Sequence, residues 1–182
     1  MSRTGRLVTA AELERLPGDD CRYELVEGRV VRLSPVGYRH GRLVSRLLIV
    51  LNQHLHGRSP GAAVTEVGFV LATNPDTVRA PDAAFIRPDR LPSPDPAGFL
   101  HEPPDLAIEV QSPEDRPLDM RAKVEEYLDC GVPLVLTVDG ERRTVTVHRR
   151  LTPPLVLRAD DDLVDLGDVV EGFTCTLREI FD

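Results

Sequence analysis

The chain has 182 residues, a net charge of −8 and an apolar content of 41%, enough for one domain with a core that needs no disulfide or metal staple. The negative charge excludes a protein that coats nucleic acid through a basic surface, and Cys21, Cys130 and Cys175 are too few and too widely spaced for a disulfide framework or a zinc motif. The leading Met-Ser-Arg-Thr-Gly-Arg has no apolar signal segment and no uncharged apolar run reaches membrane-spanning length, so the expectation is a soluble, cytoplasmic protein with no membrane partner.

Thr9-Ala-Ala-Glu12 has the form of a capping box and opens a short helix that stops near Pro17. Tyr23–Val26 and Arg29–Leu33 flank Glu27-Gly28 as an N-terminal hairpin. From about Gly37 to His56, the spacing of Leu43, Leu47, Val50, Leu51 and Leu55 predicts a long helix that stops at Gly57. Strands are predicted at Ala63–Leu71, Asp82–Ile86 and Leu106–Gln111. Between the last two runs a proline-rich loop, Arg87–Pro104, whose length makes it a candidate cover for a cleft. A helix follows from about Leu118 to Cys130, closed by Gly131 and Pro133. Leu134–Val138 and Thr144–His148 then pair about Asp139-Gly140, with short strands at Leu155–Leu157 and Leu163–Leu166 and a last helical turn at Leu177–Phe181. With no internal repeat and no linker, residues 1–182 are expected to form a single mixed α/β domain.

The chemistry is concentrated between Ala80 and Gln111. Read with a period of two, Leu106, Ile108 and Val110 lie on one face of their strand, and Asp105, Ala107, Glu109 and Gln111 on the other. A carboxylate in the middle of so apolar a strand is costly to bury unless it is hydrogen-bonded, paired or holding a cation. Asp82, from the preceding strand-like segment, supplies a second carboxylate. Two such acids with an amide nearby suit Mg²⁺ or Mn²⁺, which take oxygen ligands and keep several waters, and the chemistry that follows is metal-assisted hydrolysis of a phosphodiester. The other reading makes Asp82 a strand starter and Glu109 half of a structural ion pair with an arginine.

Of the 22 basic residues 21 are arginine, and Lys123 is the only lysine. A bias that writes arginine almost everywhere would convert a solvated lysine too, which points to a task that a broad, permanently charged guanidinium cannot do. A compact ammonium beside a scissile phosphate is such a task; the alternative is a chance survivor on an exposed helix face. Arg79, Arg87, Arg90, Arg116 and Arg121 flank the same region as phosphate contacts or as solvated charges. His40, at the head of the long helix, is a candidate general base or phosphate contact against an ordinary surface histidine, and Glu24 is a candidate extra metal oxygen against an ordinary strand residue. His54 and His56 are two apart on a helix and do not face each other. The absence of a Gly-x-Ser-x-Gly elbow and of a Gly-rich phosphate loop argues against an esterase or P-loop enzyme.

Taken in order, Tyr23-Glu24-Leu25-Val26-Glu27-Gly28, His40, Pro81-Asp82, Pro104-Asp105-Leu-Ala-Ile-Glu109-Val-Gln111-Ser112-Pro113, Asp119, Lys123, Tyr127, Gly131-Val132-Pro133 and the closing Glu171-Gly172-Phe173 to Ile180-Phe181 resemble the Uma-two family of restriction-endonuclease-like proteins. The resemblance covers nearly the whole chain through the ordered set, no one motif being specific. It implies the PD-(D/E)XK nuclease superfamily: a restriction-endonuclease-like core with a mixed central sheet flanked by helices, Asp82 as the motif's Asp and Glu109 as its (D/E). Gln111 stands where that motif has lysine, and Lys123, in the next helix, stands where Uma-two proteins commonly carry one. The segment Pro133–Asp139 lacks the aromatic pair associated with that strand in the family.

The expectation is therefore a Mg²⁺- or Mn²⁺-dependent endonuclease of DNA. Asp82 and Glu109 are its metal ligands, Gln111 positions a water or ligand, Lys123 meets the phosphate, and Glu24, His40 and Asp105 are accessory candidates. The rival from a different class is a catalytically inactive nuclease-fold module for binding or assembly, which the acidic charge and Gln111 favour. DNA is the expected partner; a homodimer is left open.

Overall fold

The computed structural model describes residues 6–16, 21–57, 61–113 and 115–182, so Met1–Gly5 and Pro17, the predicted stop of the first helix, lie outside the described residues. Thr9 and Glu12 form the predicted capping box on α1 (Ala10–Leu13). β1 (Arg22–Val26) and β2 (Arg29–Leu33) pair antiparallel, and Glu27 and Gly28 join them with φ of 48° and 75°, the left-handed geometry that suits a two-residue hairpin turn. In α2 (Tyr38–Leu55) the buried positions are His40, Leu43, Leu47, Leu51 and Leu55, the three- and four-residue spacing of one helix face.

β3 (Ala62–Val64), β4 (Phe69–Ala72), β5 (Thr77–Arg79) and β6 (Ala83–Ile86) follow, then β7 (Leu106–Gln111), α3 (Pro117–Asp129), β8 (Leu134–Asp139), β9 (Thr144–Arg149), β10 (Leu155–Leu157), β11 (Leu163–Asp165), β12 (Thr174–Thr176) and α4 (Leu177–Phe181). The central sheet runs β10-β9-β8-β7-β6-β3; a second sheet runs β2-β1-β5-β4, and β11 pairs with β12. Only β7 and β8 are parallel among the paired strands, because α3 lies between them and returns the chain to the same end of the sheet. This is the expected mixed sheet flanked by helices, with the N-terminal hairpin and short C-terminal strands.

Leu106, Ile108 and Val110 pack with Leu134, Leu136 and Val138 against α2 and the C-terminal α4. The opposite face places Ala107 and Val135 against Val124, Tyr127 and Val132. The split follows the period of two, and each fully buried leucine contributes about 1.5–3 kcal/mol.

Three expectations require correction. The single strand predicted over Ala63–Leu71 is two strands in two sheets. Glu66 has φ of 58°, and a Cβ on Gly68 would lie 2.3 Å from the Phe99 ring, so the chain bends here and glycine is required at the close approach. β5 and β12, three residues each, were not expected, because Thr77-Val78-Arg79 and Thr174-Cys175-Thr176 each carry a single apolar side chain, where the equally short β10 is Leu-Val-Leu. The Arg87–Pro104 loop leaves the C-terminal end of β6 and returns to the N-terminal end of β7, opposite Glu109. There it lays Leu100 over β4 through Val70 N–H to Leu100 O at 2.7 Å and Leu100 N–H to Gly68 O at 2.9 Å, and it covers no part of the Glu109 cleft.

Candidate active site

Antiparallel register brings the acids together. Ala83 faces Ile108 across β6 and β7, so Asp82, one residue before β6, stands opposite Glu109. Leu25 faces Val78 across β1 and β5, which sets Glu24 beside Arg79. α3 crosses this end and presents Lys123 and Tyr127, four residues apart and hence on one face. The first turn of α2 presents His40. The resulting cleft, about 1120 Å³, has a floor in which Glu109 is 4%, Asp82 9% and Glu24 2% exposed.

Each acid is held by named donors. Lys123 Nζ donates to Glu109 at 2.9 Å and lies 3.2 Å from Glu24 Oε1; Tyr127 O–H donates to Glu109 Oε1 at 2.7 Å. Asp82 Oδ2 accepts from Val110 N–H at 2.8 Å, and its Oδ1 is 3.1 Å from His40 Nε2. His40 Nδ1 in turn is 3.2 Å from Ser112 Oγ. Glu24 accepts from Arg79 Nη1 at 2.8 Å and from Ala80 N–H at 3.1 Å, while Arg79 Nε donates to Glu126.

The electrostatics follow from burial and crowding. Burial pushes the Glu109 carboxyl up to about 7, and Asp82 and Glu24 add to that against the pull of Lys123. Burial opposes the Lys123 ammonium, yet Glu109 and Glu24 outweigh it and raise the group to about 12, so it is a cation at neutral pH. Burial likewise opposes the Glu24 carboxylate, but Lys123 and Arg79 hold it below its usual range. The hydrogen bond to Asp82 raises His40 despite burial. Burial and the neighbouring acids keep the Tyr127 hydroxyl protonated and hence a donor.

Of the residues singled out from sequence, the structure gathers Glu24, His40, Asp82, Glu109 and Lys123. His40 and Glu24 are buried, which the surface readings of both did not anticipate. Gln111 and Asp105 stand apart. Gln111, at the end of β7, lines the neighbouring groove between α3 and β8–β9 and not this cleft. Asp105, 0% exposed at the other end of the strand, accepts from Arg87 N–H at 2.9 Å and Arg90 Nη1 at 2.8 Å and lies 3.0 Å from Arg87 Nε. Of the flanking arginines, only Arg79 lines the cleft. Tyr127 had been given no role of its own, and Arg79, read as a phosphate contact or a solvated charge, is the ion-pair partner of Glu24 and Glu126. The four-residue step from Lys123 was the available signal for Tyr127; the pairing of Arg79 with Glu24 had none, because Arg79 acts from the unpredicted β5. Among the described residues, no three His, Cys, Asp or Glu side chains are grouped so as to enclose a metal ion.

A solved structure of a "putative nuclease belonging to DUF820" from Anabaena variabilis ATCC 29413 superposes with a TM-score of 0.85, covering 96% of this chain and 97% of its own at 21% identity; that likeness shows the fold. No curated protein matches. The profile of the Uma2 family, described as "Putative restriction endonuclease", matches residues 10–178, and the chain therefore belongs to the Uma2 family.

Proposed function

We propose that this protein is a Mg²⁺- or Mn²⁺-dependent endonuclease that hydrolyses phosphodiester bonds of DNA. The observation that carries this reading is the convergence of Asp82, Glu109 and Lys123 in the floor of an open cleft, together with the family and the fold. The donor set suits a hard divalent ion. Asp82 and Glu109 offer oxygen only, and each carboxylate oxygen that accepts one protein donor keeps a second lone pair. An ion that retains most of its waters needs no more than one or two carboxylates, and a cation held by these acids would offset the mutual repulsion that adds to the raised pKa of Glu109. When bound, the ion would supply Lewis acidity and lower the pKa of a bound water.

The chain's own residues supply position and charge. Tyr127 and Lys123 fix the Glu109 carboxylate from two sides, and His40 and Val110 N–H fix that of Asp82. Arg79 holds Glu24, and Glu24 with Glu109 holds the Lys123 ammonium, so this charge is in place before substrate arrives. As water attacks phosphorus and the bond to the leaving oxygen breaks, negative charge grows on the phosphoryl oxygens, where a preorganised cation in a water-poor floor is most effective. Gln111 has no part in this arrangement, since it faces the other groove.

One observation favours the inactive-module reading: every oxygen of Asp82 and Glu109 already accepts a protein donor, so the acids are satisfied without an ion. Nicking of supercoiled plasmid with Mn²⁺ at low salt, paired with calorimetry of Mn²⁺ binding, separates the two. The enzyme reading expects cleavage and binding in wild type and neither in Asp82→Ala; absence of cleavage with every divalent ion and nucleic acid tried would sink it.

A further inference from the structure

Lys123 is the only lysine of the chain and, among the described residues, the one basic residue of α3 in the lining of the cleft. Its ammonium rides on a flexible four-carbon stem, so a fixed place for it depends on acceptors that are themselves fixed. Glu109 belongs to the central sheet and is held by Tyr127. Glu24 comes from the second sheet. Its Oε1 accepts from Ala80 N–H and lies 3.2 Å from Lys123 Nζ, which leaves Oε2 to Arg79 Nη1 at 2.8 Å.

Arg79 in turn needs a second hold. It is the last residue of β5, a strand three residues long, and a guanidinium bound through one nitrogen can pivot about that bond. Arg79 Nε donates to Glu126 of α3, so the planar fork is gripped by two carboxylates from two different elements. The side chains of Arg79 and Glu126 are 13% and 22% exposed, and among the described residues the Glu126 carboxylate meets no other cation. Glu126 and Lys123 are three residues apart on α3 and hence neighbours on its surface. The contacts close a circuit, from α3 through Glu126 to Arg79 on β5, across to Glu24 on β1, and back through Lys123 to α3. The exposed pair Arg121–Glu125 on the same helix, with side chains 76% and 58% exposed, stands outside this circuit and has the character of a solvated ion pair of small effect.

We propose that Glu126 is a positioning residue: by gripping Arg79, and through it Glu24, it sets where the Lys123 ammonium stands in the cleft. What that ammonium does for a phosphate rests on the nuclease reading above. A plain staple between α3 and β5 has a different consequence, since its loss would lower stability and leave Lys123 where it is.

The single lysine makes the test direct. Full-length protein grown on isotope-labelled lysine gives one ammonium signal in its NMR spectrum, and the rate at which those protons exchange with water reports how firmly the group is held. Without metal at neutral pH, Glu126→Gln should raise that rate at least about tenfold, the scale of weakening one hydrogen bond to a charged group, and Glu125→Gln, which breaks the exposed pair, should leave it within about twofold. Arg79→Gln should match Glu126→Gln, and the double variant should exceed Arg79→Gln by less than about twofold, because both changes act along one path. In plasmid nicking with Mn²⁺, well below the melting temperature that a thermal melt gives for each variant, Glu126→Gln should lower kcat about tenfold, with KM and Mn²⁺ affinity within about twofold of wild type. An exchange rate unchanged in Glu126→Gln, or effects of the two substitutions that add in full, overturns the positioning role whatever the melting temperature does. A wild type that cleaves no nucleic acid while its Lys123 signal responds as expected overturns the nuclease reading and leaves the positioning role standing.

Discussion

Asp105, immediately before β7, and Glu109, within it, are buried carboxylates on the same face toward opposite ends of the strand, and the two are treated differently. Asp105 meets two guanidinium groups, Arg87 and Arg90, under a loop whose backbone also serves it. Glu109 sits in a cluster where Glu24, Asp82, Glu109 and Glu126 share Lys123, Arg79 and the imidazole of His40. At the first end the one buried acid faces two guanidinium groups, which also meet the exposed Asp89 and Glu102, and the carboxylate ties a loop to the sheet. At the second end negative charge exceeds permanent positive charge, an ammonium is aimed into an open cleft, and one acid is pushed toward neutral pH. Burial alone does not single out a candidate functional acid; burial with an incomplete set of counter-charges beside a cleft does.

The largest expected effect lies at the Glu109 end. Lys123→Ala should lower plasmid nicking at least about a hundredfold, the scale of removing one preorganised electrostatic contact. Lys123→Arg should fail nearly as badly, since the planar fork does not fit a pocket shaped for an ammonium. Asp105→Asn, assayed well below its melting temperature, should nick at close to the wild-type rate. Equal losses at both ends would erase the distinction.

Titration separates the ends next. In metal-free EDTA buffer, Glu109 holds its proton to about pH 7 when folded against an ordinary 4.5, so the stability linked to it is complete below pH 4.5 and lost as pH rises through 7. The loss is on the order of 3 kcal/mol. Glu109→Gln should abolish this decline, visible as a melting temperature that gains on wild type between pH 4.5 and 7. Parallel pH profiles for the two proteins would show that Lys123 neutralises Glu109 throughout.

Metal should stabilise one end only. At an Mn²⁺ concentration about a hundred times its dissociation constant, wild type should gain roughly 2.7 kcal/mol, and Asp82→Ala and Glu109→Ala should gain nothing. A full shift retained in either variant removes that residue from the metal site. Asp105→Ala should keep the full shift while losing about 2 kcal/mol of stability in denaturant titration, because Arg87 and Arg90 lose a buried acceptor but remain partly solvated. A loss within about 0.5 kcal/mol would mean that the loop is held without it.

Much of this was legible in the chain. The capping box at Thr9, the hairpin turn at Glu27-Gly28, the leucine stripe of α2 and the face division of β7 are local patterns, dictated by the periods of helix and strand and by where a left-handed residue fits. The pairing of Asp82 with Glu109 was legible because both lie on or beside strands of strong apolar character, and Lys123 because composition singled it out. Gln111 was misplaced for a related reason: period two gives the face of a strand but not which of two adjoining grooves a residue at the strand end will line.

What sequence determined by itself, then, was the set of elements and the types of chemically capable groups, since these depend on residues close together along the chain. Tertiary structure decided which of those groups share a cleft. Glu24 reaches the site because β1 pairs with β5, fifty-odd residues away, through the register of Leu25 with Val78. Arg79 reaches it from a strand three residues long. Asp105 is turned from an accessory candidate into a loop anchor by Arg87 and Arg90, and the pKa of Glu109 is set by burial beneath a helix, by Lys123 and by Asp82 and Glu24. Desolvation and Coulomb interactions fall off with distance in space, not along the sequence, and only the folded chain sets those distances.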